Sequence, residues 1–312
     1  MMRVTSNTFP NTLLAQIGDL SSRQAKLQAQ AATGQRVQLP EDDPDAMRRA
    51  LEMQAQAGSL DQYSANIANL KDTTTIAFSA MKSLKTVNDD ASEIATRAVG
   101  INSAADLDGY AAQVNSDLES ALTAANITFR GDYIFAGTKV DKPPFEVVRD
   151  ANNKITAVNY VGNADQITAE ISPGASSEAQ PVGANTTGSG PRGLLTDSRY
   201  GADYFNHLIA LRDHLAAHDT AQVVSSDQTN LKNDGENIIY HYSHIGAVQS
   251  RLDAADSIAK DQSFSLNQHI SGLVDADLAD TMVKLTQVQN AYTAALQTGG
   301  RILNTSLLDY LR

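Results

Sequence analysis

The chain has 312 residues, a formal net charge of −12, no cysteine and no tryptophan, with aromatic residues at 5%. The charge disfavours nucleic acid and anionic membrane as main partners. The missing thiols exclude disulfides, cysteine nucleophiles and cysteine metal sites. Few aromatics among abundant Ala, Gln, Leu and Asn suit long, thinly packed helices, and the length allows two or three domains.

The N-terminal MMRVTSNTFPNTL lacks the apolar core of a secretory signal peptide. The first 36 residues are poor in acid, a pattern that also fits a transit peptide. From Asn11 to about Thr33, apolar positions step by four and three through Leu13, Ile17, Leu20, Leu27 and Ala31, with Gln24 in the gap. This predicts a heptad helix ending at Gly34. A second helix is predicted from Pro44 to about Val99, its stripe running from Leu60 through Ile67, Leu70, Ala77, Met81 and Leu84 to Ile94, with a stammer near Val87. A third is predicted from about Ala104 to Phe129.

Between Gly131 and Gly201 the helical period stops, and most of the prolines and nearly half the glycines fall there. FEVV, KITAVNYV and QITAEI are short, β-branched and bounded by Pro, Gly and Asn, which predicts strands. ANTTGSGPRG reads as a flexible loop. Helix resumes over about Ala202 to Ala217, then Ala221 to Lys260, then Ser263 to Asp309. The last carries Leu278, Met282, Leu285, Tyr292, Leu296 and Leu303 at heptad spacing, with Gln289 and Gly299 in the gaps.

Two acidic runs invite a metal-site reading, LPEDDPDAM at Leu39 to Met47 and VDADLAD at Val274 to Asp280. In the first, Asp43 precedes Pro44. A residue before proline is held extended, which is N-cap geometry, with proline at the first helical position. Asp43 and Pro44 are therefore assigned as a helix cap, with Glu41, Asp42 and Asp45 adding charge at the positive end of the helix dipole. Asp277 and Asp280 are taken as solvated or partner-facing carboxylates on a helix. His214 and His218 stand four apart on a predicted helix, a spacing that can share a metal. HLAAH lacks the glutamate base of a zinc protease, and neither a GxSxG elbow nor a phosphate loop is present. Gly299-Gly300 marks a weak point or a close-packing point within its helix. Asn126 and Asn185 fit the glycosylation pattern, which is common by chance.

Four segments in order resemble the bacterial flagellin family, and within it the hook-associated branch of the hook–filament junction. They are RVTSNTFPNTLLAQIGDLSSRQAKLQAQAATGQRVQLPEDDPDAM, GDYIFAGTKVDKPPF, YVGNADQITAEISPG and DADLADTMVKLTQVQNAYTAALQTGGRILNTSLLDYL. Departures are Pro40-Glu41 before the acidic run and Leu278 after DAD, where the family usually has Ser or Pro, and Tyr. The resemblance implies a mainly α fold with a β insertion, an elongated rod of long antiparallel helices with terminal coiled-coil helices and a small central β domain. It implies a terminal domain of 1–42 with 275–312, a helical rod domain of 43–137 with 200–274, and an outer β domain of 138–199.

It further implies a structural, non-enzymatic subunit without cofactor or metal, exported through the flagellar type III apparatus to the outside of the cell. Expected partners are copies of itself in a helical ring, flagellin, a neighbouring hook-associated protein and an export chaperone. The assembly interface is expected at Leu13, Ile17, Leu20, Leu27, Leu278, Met282, Leu285, Tyr292, Leu296, Leu303, Leu307 and Leu308. The alternatives are flagellin itself and a secreted helical effector using a metal at His214 and His218.

Overall fold

A computed structural model describes residues 8–310, and side chains from 11 to 301. The chain divides into two compact units, residues 1–59 with 262–312 and residues 60–261. Long helices lie toward both ends and small sheets in the middle, the mainly α fold with a β insertion that the periodicity predicts.

The first unit is built on α1 (Thr8–Thr33), the start of α2 (Pro44–Arg97), the end of α6 (Gln228–Val274) and α7 (Leu278–Tyr310). α1 stops where expected. Gly34 takes φ +73° and its N–H returns to the Gln30 carbonyl at 2.9 Å, a left-handed glycine cap. Val37, Ala46, Ala50 and Val274 form the small buried core of this unit.

The second unit holds the larger core. The stripe predicted on α2 is buried from Ile67 to Ile94, including Met81, Leu84, Val87 and Ala91. α3 (Ala104–Ala125) packs Leu107, Val114 and Leu118 into the same core, after a capping box in which Ser103 and Asp106 satisfy each other's backbone N–H. α4 (Tyr204–Ala216) adds Tyr204, Phe205, Leu208 and Leu211. A short turn, α5 (Thr220–Gln222), and a π-helical turn (Val223–Asp227) lead into α6, whose Ile238, Ile245 and Leu252 are buried as the spacing predicts.

The β region comprises four small sheets. β1 (Thr128–Phe129) and β2 (Asp132–Tyr133) join through Arg130 and Gly131, both at positive φ, the geometry of a tight hairpin turn. β3 (Phe145–Arg149) pairs antiparallel with β4 (Ile155–Tyr160), and β5 (Thr168–Ser172) with β6 (Ala175–Glu178). β7 (Val182–Asn185) lies parallel to β8 (Gly193–Asp197), which pairs with β9 (Ala202–Asp203). Phe145, Ile155, Leu194 and Leu195 from this region share the core of α2, α3 and α4.

Three boundaries differ from expectation. α3 ends at Ala125 rather than Phe129, because the Asn126 side chain both donates to the Phe145 carbonyl (2.9 Å) and accepts its N–H (3.0 Å), turning the chain into β1. The predicted break near Lys260–Ser263 does not exist. α6 continues to Val274, and the true break is at Asp275–Asp277. Nothing at 261–262 stops a helix, whereas Asp277 caps the next one. The loop read as flexible is tied down: Asn185 Nδ2 donates to the carbonyls of Ser189 (2.7 Å) and Pro191 (2.5 Å), and its Oδ1 accepts from Thr187. Asn185 is buried, its side chain committed to these bonds.

Candidate assembly interface

The two helix breaks of the first unit meet each other. The amides of Arg36 and Val37 donate to the Val274 carbonyl at 2.7 and 3.2 Å, and Ala276 N–H donates to Gly34 O at 2.8 Å. Arg36 Nη2 caps the end of α6 by donating to the Leu273 carbonyl at 2.7 Å, while its Nη1 reaches Asp43 at 3.4 Å. A cation at a helix C-terminus is favoured by the dipole and satisfies a carbonyl that α6 leaves unpaired.

Within this knuckle the acidic run is consumed by capping. Asp43 Oδ1 accepts the Ala46 N–H at 3.1 Å, the cap predicted for Asp43-Pro44. That bond, with help from Arg36, holds the Asp43 carboxyl below the usual carboxylate range. Asp42 accepts Lys26 Nζ at 2.7 Å and the amides of Gln38 and Leu39, which hold its carboxyl down to about 2. Asp277 is a second cap of the same kind, accepting the amides of Ala279 (2.9 Å) and Asp280 (3.1 Å). The signal was present in sequence: Asp277 with an acid three residues on is the capping spacing already used by Ser103 and Asp106.

α1 and α7 pack together antiparallel. Gly34 meets Ala276 at one end, and at the other a Cβ on Gly299 would stand 3.0 Å from Leu13 Cδ2. Gly299 is therefore a close-packing point, while Gly300 faces open space. On α1 the partly covered positions are Leu13, Ile17, Leu20, Gln24, Leu27 and Ala31, the stripe read from spacing, together with Gln30. On α7 Leu285, Val288, Tyr292 and Ala295 are partly covered, and Thr281 and Gly299 are buried. The register fixed by the two ends sets Leu20 opposite Tyr292 and Leu27 opposite Leu285.

The stripe expected on α7 is thus split. Leu285 and Tyr292 line the seam with α1. Leu278, Met282 and Leu296 are 51%, 54% and 47% exposed, with Val283 beside them at 57% and Leu14 of α1 at 66%. Two heptad seams on one helix share Leu285 and Tyr292, so spacing alone does not divide them. The side chains of Leu303, Leu307 and Leu308 lie outside the described residues.

His214 and His218 go to separate carboxylates. His214 Nδ1 is 2.8 Å from Asp227, and His218 Nε2, beyond the end of α4, is 3.0 Å from Asp108. His207 Nδ1 is 2.7 Å from the buried Asp234. His241 is buried with Nε2 on the Gly193 carbonyl at 3.1 Å, and burial pushes its imidazole down to about 4. Among the described residues no group of three or more His, Asp or Glu is arranged to hold a metal ion.

Paired terminal helices that leave large apolar side chains bare, together with a helical core and small sheets, define a helical protein with an unfilled packing face. The description of the bacterial flagellin N-terminal helical region matches residues 4–140, and that of the C-terminal helical region matches 229–311. The chain belongs to the bacterial flagellin family. It is 25% identical over 280 residues to flagellar hook-associated protein 3 of Escherichia coli (strain K12), covering 85% of this chain and 86% of the relative. It is 23% identical over 325 residues to the protein of that name from Salmonella typhimurium, covering 100% of each. In fold it resembles flagellar hook associated protein-3 from Legionella pneumophila, with a TM-score of 0.58 at 12% identity, over 71% of this chain and 98% of that one. It is a structural component of the bacterial flagellum.

Proposed function

We propose that this chain joins a hook-associated protein to the flagellin filament at the hook–filament junction, as an extracellular subunit exported through the flagellar type III apparatus and repeated in a ring. The observation that carries this reading is the bare face of α7. Leu278, Met282 and Leu296 stay exposed after α1 has taken Leu285 and Tyr292. Large apolar side chains left exposed along one side of a helix mark an interaction site, and a helix with two heptad seams has one for its own chain and one for a neighbour. Leu13, Ile17, Leu20 and Leu27 support it from α1, and Leu303, Leu307 and Leu308 extend the spacing. Residues 1–42 with 275–312 act as the assembling domain, 43–137 with 200–274 as the helical rod, and 138–199 as the outward β region. An export chaperone covers the apolar helices before assembly.

The alternative is bulk flagellin. The relatives carrying the name hook-associated protein 3 favour the junction, as does the junction-like GDYIFAGTKVDKPPF segment. The test is a strain lacking this chain. It makes hooks but sheds flagellin monomer into the medium, and the wild-type gene restores filaments where Met282→Asp does not. Loss of hooks, or normal filaments with Met282→Asp, overturns the reading. A subunit count per flagellum as high as the filament's would favour flagellin.

A further inference from the structure

Among the described residues, the arginines that are not exposed are Arg149, Arg192 and Arg212. Arg149 is paired with Glu119 and Arg212 with Asp213. Arg192 has no carboxylate. Its Nε donates to Asn237 Oδ1 at 2.6 Å, and Asn237 is itself locked by donating to the carbonyls of Gly193 and Leu194. Its guanidinium carbon lies 3.5 Å from the Tyr200 ring centroid and 4.3 Å from that of Tyr240. Nη1 and Nη2 have no hydrogen-bond partner among the described residues, and Asp197, the nearby acid, is already held by Arg199 through Nε and Nη2. A partly desolvated cation without an acid is costly, yet this one is fixed flat with one edge unspent, the arrangement that receives a carboxylate bidentately.

Arg192 borders a recess of about 170 Å³ lined also by Gln166, Gln180, His244 and Glu178. Glu178 does not reach Arg192. It faces His244 at 3.5 Å and Arg251 at 3.9 Å, which temper its repulsion of an incoming acid. The rim is a protein-recognition surface in composition, since Tyr200 and Tyr240 are 47% and 46% exposed and tyrosine and arginine dominate binding hot spots.

We propose that Arg192, clamped between Tyr200 and Tyr240, receives an Asp or Glu side chain from an adjacent copy of this chain. The choice of occupant rests on the reading above, that copies stand side by side. It also rests on charge: each copy carries −12, so lateral packing brings acid against acid unless a cation on one copy takes a carboxylate of the next. The pair sets register between neighbours, as a fixed bidentate contact does better than an apolar face.

The test uses the full chain in a strain lacking its own copy, with Arg192→Gln, Arg192→Lys and Arg192→Glu. Purified Arg192→Gln melts as the wild type does, because glutamine still donates to Asn237. Its junctions lose filaments several-fold more readily under shear, Arg192→Lys falls between, and Arg192→Glu is worst. Lys or Arg placed at one exposed acid of the same chain restores Arg192→Glu. The proposal is overturned by wild-type shear resistance of Arg192→Gln, by losses that merely follow a lowered melting temperature, or by rescue arising only in a different protein. Met282→Asp keeps the two readings apart. If it blocks filaments while Arg192→Gln is harmless, only this inference fails; if it too is harmless, the junction reading falls with it.

Discussion

Arg36 Nη2 donates to the carbonyl of Leu273 at 2.7 Å, closing a contact across 237 positions of sequence. The same guanidinium reaches Asp43, the cap of α2. One side chain therefore finishes α6, steadies the start of α2 and holds the two helix breaks together. Arg36→Ala is expected to cost about 1 kcal/mol, the worth of a charge-assisted bond discounted for exposure. Amide exchange at 274–280 should accelerate while that of the Leu84 region stays unchanged; equal protection in both proteins would show that the backbone pairing alone suffices.

The seam between α1 and α7 is narrow, most of its members only partly covered. Isolated helices of this kind are marginal in water, and ordering each residue costs about 1–2 kcal/mol of backbone entropy. In dilute monomer, amides of 11–33 and 278–301 should exchange far faster than those of 77–98. Assembly should slow them. Strong protection of both segments in the monomer would contradict the view that a neighbour completes the seam.

Neighbouring glycines should behave oppositely. Gly300 faces open space, so Gly300→Ala is expected to stabilise α7 by about 0.5–1 kcal/mol through lost chain entropy. Gly299→Val drives a branched side chain against Leu13 and should lower the melting temperature of the terminal unit. The pair of thermal melts decides it, since propensity alone predicts gains at both positions.

Three pH windows follow from one carboxylate and two histidines. Asp42 is held down to about 2 by Lys26 and the loop amides, so its stabilising contribution is present above the ordinary value of 3.8 and lost as pH falls from there towards 2. His241 is pushed by burial from 6.5 to about 4, so the unfolded chain binds the proton first and the central unit weakens as pH falls across that interval. Burial also lowers His207, but Asp234 more than offsets it and the net shift is upward. Its contribution is complete below 6.5 and fades as pH rises through the raised value. Melting curves from pH 4 to 7 should lose their acid-side slope in His241→Gln; a slope of unchanged size would assign it elsewhere.

Asp117 is buried with Oδ2 unpartnered and only Gln113 donating to its other oxygen, and burial raises its carboxyl. Removing the charge should help more than the lost bond hurts. Asp117→Asn is expected to raise stability at neutral pH by about 1 kcal/mol, with a smaller gain in acid where the aspartate is already protonated. Urea midpoints at the two pH values test it.

The sequence by itself determined the elements whose signals are local. The period from Leu60 to Ile94 made α2 and fixed its buried face, Asp43-Pro44 placed the cap, and Gly34 ended α1, because periodicity, pre-proline geometry and a left-handed glycine act within one or two turns. The motif string that resembles the flagellin family was legible for the same reason. The tertiary structure alone decided how α7 divides its two seams, since Leu285 and Tyr292 belong to both by spacing and only the antiparallel register against α1 separates them from Leu278, Met282 and Leu296. It likewise moved the last helix break to Asp275–Asp277, where Gly34, Arg36 and Val37 from the far end of the chain take up the backbone groups of α6 and its exit, and it left Arg192 without an acid. Those outcomes depend on which distant groups satisfy which buried polar atoms, and no local pattern encodes that pairing.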